Sequence, residues 1–437
     1  MKNYRALVPI VMIVIMVCSW YMLVSEAVEQ NQMYETYLGQ ARSFADKEIT
    51  SKAVENYNLA LDIKSTPEIY AEVADYYYSI GDNSKYLDWC EDFFAAYPTD
   101  STAYDCILKA YLDGADYASC YDVLSTAEKR SVSSDYMNEV SESIAYKYKF
   151  DYSTYTDVGV YNNGMCCVKD ENEWGYVDMF GQLRIPCKFT SVSAYSQSNF
   201  ASVVDSEGEA YFADSSGGKI LVADEEYRRY GMYVTDMTAA QKTDGKYVYL
   251  DENLNLLYEE YDYASTVNNG IAVVKNGDKW SIINSEGKMV CEDTFSDIKL
   301  DEKEIAYRND RLFVKKGKGK YIMIDSSGKQ IGSLEFDDAK PFSDETYAAV
   351  KIDGKWSFIN KDGNLISDKT YDDARSFRNG LAAVCVSGKW GFVDESEEMK
   401  IEAQFNGAMD FNEKGSCFVN VGDKWQLLKL YRLNRED

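Results

Sequence analysis

A short aromatic frame recurs eight times between residue 151 and the C-terminus, and that recurrence constrains the fold more than any other feature of the chain. Trp174, Tyr211, Tyr247, Trp280, Tyr321, Trp356, Trp390 and Trp425 stand in equivalent places, separated by 37, 36, 33, 41, 35, 34 and 35 residues. One copy reads Lys279-Trp280-Ser281-Ile282-Ile283-Asn284 and another Lys389-Trp390-Gly391-Phe392-Val393-Asp394. Side chains two apart along a strand share a face, so the Trp and the residue two later look one way and the alternate residues the other. A second strand precedes each frame, as in Ala272-Val273-Val274 and Ala382-Ala383-Val384. The turns that follow are Asn284-Ser285-Glu286-Gly287, Asp325-Ser326-Ser327-Gly328 and Asn360-Lys361-Asp362-Gly363. Asp or Asn first, with Gly three residues on, predicts type I turns closed by a glycine bulge. A calcium loop would need further oxygen ligands at alternate positions. An aromatic and acidic segment completes the unit, as in Phe336-Asp337-Asp338-Ala339, Tyr371-Asp372-Asp373-Ala374 and Phe405-Asn406-Gly407-Ala408.

A unit this small cannot bury its own aromatic row and must stack on its neighbours. The eight aromatic residues are therefore expected in the packing of the β region, as structural residues that define the repeat, and only secondarily as platforms for sugar rings. The run resembles the WG-repeat family, named for its Trp-Gly pair, from Tyr155 to the C-terminus. The literal pair stands only at Trp174-Gly175 and Trp390-Gly391, and Glu207 to Leu257 is degenerate, which predicts distorted units there. The resemblance implies an all-β repeat domain over 151–437. Eight units suit a β-propeller, which has about 4–8 blades; units so short for four strands point instead to an open β-repeat array. Of the two, the propeller is favoured.

Residues 28–150 carry a helical pattern, with apolar and aromatic residues three and four apart. Ala41 with Phe44, Ala74 with Tyr77 and Leu108 with Tyr111 recur at spacings of 33 and 34 residues. A second helix follows each pair: Ala53, Tyr57 and Ala60 share one face in the first unit, Gly81-Asp82 turns the second before Pro98, and Gly114 turns the third before Leu124 and Ala127. The segment from Met33 to Arg130 resembles the tetratricopeptide repeat family, without its early Trp and without a closing proline in the third unit. Ser133 to Phe150 reads as a terminal capping helix. Tyr57, Tyr77 and Tyr111 are expected to pack between helices. The resemblance implies an α-helical solenoid whose concave groove receives a peptide or a partner helix.

Ala6 to Val24 is an uncharged, mostly apolar run of 19 residues, enough to cross a hydrocarbon layer of about 30 Å at about 1.5 Å per residue. Residues 1–27 therefore read as a cytoplasmic tip and a transmembrane helix. Lys2 and Arg5 flank its start, and after Glu26 and Glu29 no base appears until Arg42. The positive-inside rule keeps the N-terminus cytoplasmic and places the bulk of the chain outside the cell. A cleaved signal peptide competes, since Ser25 and Ala27 suit a cleavage site, but the apolar run exceeds the usual h-region of about 7–15 residues. Cys18 lies in the span, which leaves nine cysteines, none in a CxxC pattern and two adjacent, at Cys166 and Cys167. These read as small buried apolar residues rather than a disulfide framework. With the absence of an Asn-x-Ser/Thr sequon outside the span, they suit a bacterial cell surface.

The chain has no histidine, which removes imidazole as base, nucleophile partner or metal ligand. Its 46 Lys and Arg against 73 Asp and Glu give a net charge of −27, which argues against nucleic acid and anionic lipid surfaces as partners. No phosphate loop, hydrolase elbow, metal cluster or dinucleotide fingerprint appears. The motifs assign no catalytic residue, no cofactor and no metal ligand. The expectation is a multidomain α and β protein acting as a non-catalytic, membrane-anchored cell-surface scaffold with a protein or peptide partner. Two alternatives stand beside it: a binder of cell-envelope polysaccharide, and a glycan hydrolase using two carboxylates about 5–9.5 Å apart.

Overall fold

The structure, a computed structural model, describes residues 4–431 apart from 236, 258, 259, 344 and 345. It divides into two compact units, Met1–Ala145 and Tyr146–Asp437.

The first unit holds α1 (Tyr4–Ala45), α2 (Thr50–Ile63), α3 (Pro67–Ser79), α4 (Asn83–Ala96), α5 (Ser101–Asp113), α6 (Tyr117–Arg130) and α7 (Asp135–Ile144). Helix α1 is long and apolar enough to cross a membrane: Val11–Ala45 contains a window of mean hydropathy 2.0 with none of it buried. The boundary read between residues 27 and 28 falls inside this helix, because residues 24–34 contain neither Gly nor Pro to stop it. Its second half instead turns a face inward through Tyr34, Leu38 and Ala41 against α2. Asp82, Asp100, Asp116 and Ser134 cap α4 to α7 by accepting backbone N–H groups of the first turn, and Pro67 sits at the start of α3, where its missing N–H costs nothing. Each helix packs on the next in sequence, and α5 also meets α3 and α7. Ala53, Tyr57, Ala60, Ala74, Tyr77 and Leu108 are buried in this core, while Tyr111 is half-buried with its hydroxyl donating to Glu91 at 3.0 Å.

The capping helix expected over Ser133 to Phe150 ends at Ile144. From Tyr148 the chain is a strand, Tyr148–Tyr155, and the domain boundary falls at 145/146 rather than 150/151. The strand's partner is Lys424–Leu430 at the far end of the chain, with Tyr148 opposite Leu430 and Tyr155 opposite Trp425. Nothing in the local pattern reveals a pairing that distant.

Among the described residues the second unit forms eight antiparallel sheets, here numbered in chain order. Sheets 1 (157–189), 2 (191–221) and 7 (373–405) have four strands drawn from consecutive chain. Sheets 3 (227–250), 4 (263–284), 5 (297–324) and 6 (338–359) have three. In each of those four a fourth strand is reduced to two isolated bridges, for instance Trp356 with Tyr371 and Ile359 with Leu365 in sheet 6. Sheet 8 takes Gly407–Ala408, Ser416–Val421 and Lys424–Leu430, and Tyr148–Tyr155 supplies its fourth strand. About 36 residues are thus enough for a four-position sheet because the first strand is two residues long in all but sheet 3 and the last is often only pinned at its ends. The stretch Glu207 to Leu257, expected to be distorted, forms parts of sheets 2 and 3 in the common strand order, with Tyr211 and Tyr247 buried. Tyrosine fills the Trp place without breaking the unit.

The Trp-Gly pair has a steric reason. A Cβ on Gly391 would lie 2.5 Å from the Ile401 carbonyl oxygen, and one on Gly175 would lie 2.4 Å from that of Ile185. Both oxygens belong to fourth strands that run continuously for seven residues, Met399–Phe405 and Leu183–Phe189. In sheet 6 the same place is Ser357, whose hydroxyl donates to the Lys369 carbonyl at 3.1 Å, and the fourth strand stands off as two bridges. The expected turns form as well: Asn284, Asp325 and Asn360 each accept N–H groups two and four residues on, and Gly328 and Gly363 adopt φ of +87° and +81°.

Candidate functional site

The eight repeat aromatics do not converge; one lies in each sheet. Tyr211, Tyr247, Trp280, Tyr321 and Trp356 are 5–8% exposed, and Trp174, Trp390 and Trp425 are half-buried. Each ring belongs to a fixed local arrangement. Trp280 exchanges backbone hydrogen bonds with Phe295 at 2.8 and 2.9 Å, and Trp356 does so with Tyr371 at 2.9 and 2.8 Å. Lysine ammonium groups cover several of the ring faces: Lys340 lies 4.6 Å from the Trp356 centroid, Lys299 4.5 Å from that of Tyr321, and Lys275 5.7 Å from that of Trp280. The lysine just before the ring ties the next acidic segment, Lys320 to Asp337 at 2.9 Å and Lys355 to Asp372 at 2.6 Å. Asp337 also accepts the Gly354 N–H at 3.0 Å, so one carboxylate joins two successive hairpins. Lys320 with that N–H holds the Asp337 carboxyl below its usual range. A face already covered by ammonium groups has little left to offer a sugar ring.

A different set of residues makes a site. In most sheets the first, two-residue strand is followed by a loop, and five of these loops meet around a cavity of about 280 Å³. They are the loops of sheets 1, 5, 6, 7 and 8, contributing among others Val160, Glu302, Phe342, Arg375, Arg378 and Asp410 in that order of sheets, with both arginines from sheet 7. The loop of sheet 5 is the longest, which accounts for the 41-residue interval between Trp280 and Tyr321. At the centre Arg375 grips Asp410 with two hydrogen bonds, Nε to Oδ1 at 2.5 Å and Nη2 to Oδ2 at 3.2 Å, and reaches Glu302 at 2.7 Å. Three sheets are joined by this one guanidinium. Arg308 pairs with Asp301 at 3.1 Å, Lys340 with Asp373 at 2.8 Å, and the Lys303 ammonium donates to Asn162 Oδ1 at 3.1 Å across to sheet 1. Burial alone would push the Asp410 carboxyl up, but Arg375, with Arg378 and Lys303 behind it, outweighs burial and holds it below the usual carboxylate range. Arg378 is half-buried on the cavity wall and makes no ion pair among the described residues.

Sequence reading missed this cluster. Arg375, Asp410, Glu302 and Arg378 are unremarkable one at a time, and Arg375 and Asp410 stand 35 residues apart. Two signals were available: a base two residues after the second segment acid, as in Asp338-Ala339-Lys340 and Asp373-Ala374-Arg375, and the one overlong interval. Among the described residues no group of three or more His, Cys, Asp or Glu is placed to hold a metal ion.

The sequence profile of the WG containing repeat matches residues 174–205, 249–280, 323–356, 356–390 and 390–425. The segments after residue 323 each run from one repeat aromatic, or close to it, to the next. No curated protein matches the chain. The chain is similar to solved structures at low identity. A computationally designed protein, Ika8, is 12% identical with a TM-score of 0.46, over 64% of this chain and 98% of that one. BamB from Moraxella catarrhalis is 13% identical with a TM-score of 0.42, over 64% of this chain and 93% of that one. KlHsv2 carrying a Gly-Ser linker in place of its loop 6CD is 9% identical with a TM-score of 0.38, over 56% and 96%.

Proposed function

We propose that this chain is a non-catalytic, membrane-anchored scaffold that holds a protein partner at the cavity of its β region. The observation that carries the reading is the convergence of loops from five sheets on one cavity whose wall includes Arg378. The β region is read as a closed eight-bladed propeller, supported by the pairing of Tyr148–Tyr155 with Lys424–Leu430 and by a core shared between the two ends, where Tyr161 stacks on Phe418 at 6.1 Å. The fitting partner chemistry is a carboxylate on an exposed segment, since the carboxylates of the cavity wall are engaged by arginines, as Arg375 engages Asp410 and Glu302. The helical hairpins are read as tetratricopeptide-like, with a further cavity of about 280 Å³ between α4, α5 and α6. The N-terminal helix is read as an uncleaved anchor with Lys2 and Arg5 on the cytoplasmic side and both units outside.

Against polysaccharide binding stands the lining of the cavity: Phe342 is the aromatic residue among its described walls, and it is 1% exposed. Binding of the full chain in detergent micelles to a fluorescent Glu-rich peptide tests the reading, beside a Gln-rich control and a soluble peptidoglycan fragment. The Glu peptide should bind and Arg378→Glu should weaken it about tenfold or more, the loss of one charge-assisted contact. Equal binding of both peptides, or binding of the glycan alone, would overturn it. Protease added to intact cells should digest both units; their protection would sink the orientation.

A further inference from the structure

Ten cysteines are present, and among the described residues one sulfur–sulfur contact occurs. Cys90 on α4 and Cys106 on α5 bring their Sγ atoms to 2.7 Å. The two helices are neighbours joined by residues 97–100, and the cysteines face each other across their packed surfaces. Cys90 is fully buried and Cys106 half-buried. Tyr86, one turn before Cys90, is buried against the pair and its hydroxyl donates to the Cys106 carbonyl at 3.3 Å. The remaining thiols have different surroundings: Cys166 donates to the Gly159 carbonyl at 3.4 Å and Cys187 to that of Val168 at 3.8 Å.

We infer that Cys90 and Cys106 are a redox pair, closed to a disulfide between α4 and α5 by exchange with a small-molecule disulfide. Cys106, the more accessible thiol, attacks as its thiolate: its sulfur bonds to one sulfur of the oxidant, and the other leaves as a thiolate. Cys90 then gives up its proton to solvent and attacks Cys106 Sγ, expelling the second small-molecule thiolate. The oxidant gains the two electrons that the two cysteines lose. The environment suits these roles. A hydrogen bond from the Cys90 thiol lowers the Cys106 thiol below its ordinary value against the effect of burial. Cys90, donating that hydrogen bond from a buried position, is raised.

Trypsin provides a direct readout, because residues 86–109 form one peptide holding both cysteines and no internal Lys or Arg. The full chain, reduced and then equilibrated with oxidised glutathione in detergent, should yield this peptide two hydrogens lighter and closed to alkylation until reduction. In Cys90→Ser the reaction should stop at a glutathione adduct on Cys106, whereas Cys106→Ser should leave Cys90 unmodified. Two alkylatable thiols in the equilibrated native protein, or a stable adduct without ring closure, would overturn the pair. Faster modification of Cys90 in Cys106→Ser than of Cys106 in Cys90→Ser would overturn the assignment of the attacking thiol.

Discussion

The helical unit and the β unit are both made by repetition, and they use it differently. In the helical unit each helix packs on its neighbours in sequence, so the structure is a file of local agreements. In the β unit the first strand is the fourth strand of the last sheet, so the two ends of the region share one hydrogen-bonded edge. The contrast teaches where cooperativity comes from. A file of helices can loosen at one place and keep the rest, whereas a set of sheets whose ends are joined has no terminal member to fray.

The strongest test of that contrast is a matched pair of core truncations. Phe358 is 1% exposed and meets Phe377 at 4.7 Å, and Tyr104 in α5 is fully buried. Phe358→Ala and Tyr104→Ala should each cost about 3–5 kcal/mol by urea unfolding. Hydrogen exchange should separate them, with protection lost as far as the Tyr148–Tyr155 edge in the first and only in α4 to α7 in the second. Loss confined to sheet 6 in Phe358→Ala would break the comparison. Next in size is Asp410→Asn, which leaves a buried guanidinium short of one partner and should cost about 3 kcal/mol at neutral pH. Because the folded Asp410 carboxyl is held below its unfolded value of about 4, its contribution is present above that pH and is lost as pH falls through the folded value. The penalty of Asp410→Asn should therefore shrink in unfolding curves measured well below pH 4; a penalty independent of pH would remove the charge from the explanation.

A smaller effect separates sheet 7 from sheet 6. Gly391→Ala pushes a methyl into the backbone of the fourth strand and should cost about 1–3 kcal/mol, while Ser357→Ala, where that strand stands off, should lose only the bond to Lys369, about 1 kcal/mol. Thermal unfolding of the two variants in parallel reads this, and equal losses would discard the steric account of the Trp-Gly pair. Smallest is Lys355→Met, which removes an ion pair whose side chains are 54% and 39% exposed; unfolding midpoints should move by less than about 1 kcal/mol and the difference should vanish in high salt.

The periodic features of this chain were legible and the long-range ones were not. The repeat aromatics, the turns opened by Asn284, Asp325 and Asn360, and the helical hairpins each depend on residues within a few positions of one another. The first residues of the strand Tyr148–Tyr155, up to Phe150, read locally as the tail of a helix, since their partner enters almost three hundred residues later. The fourth strands of sheets 3 to 6 escaped notice because two bridges leave little alternation to detect. The cavity was hidden for the opposite reason: its charged residues follow a regular spacing, but regular spacing alone does not say that five loops point at one centre. Even the continuity of α1 was obscured, since a change from apolar to polar residues looked like a boundary when it only marks a change of surroundings.

The pairing of the first β strand with the last also sets a clock for synthesis. Tyr155 leaves the ribosome 269 residues ahead of Lys424, an interval of some tens of seconds at about 5–20 residues per second. Through that interval the strand has no partner, and Tyr152, fully exposed even in the finished fold, and Phe150 remain open to any other chain. A nascent chain of this kind needs its early edge shielded until the last strand is made, so a stop codon ahead of Lys424 would leave not a slightly shorter protein but one with an unmatched edge.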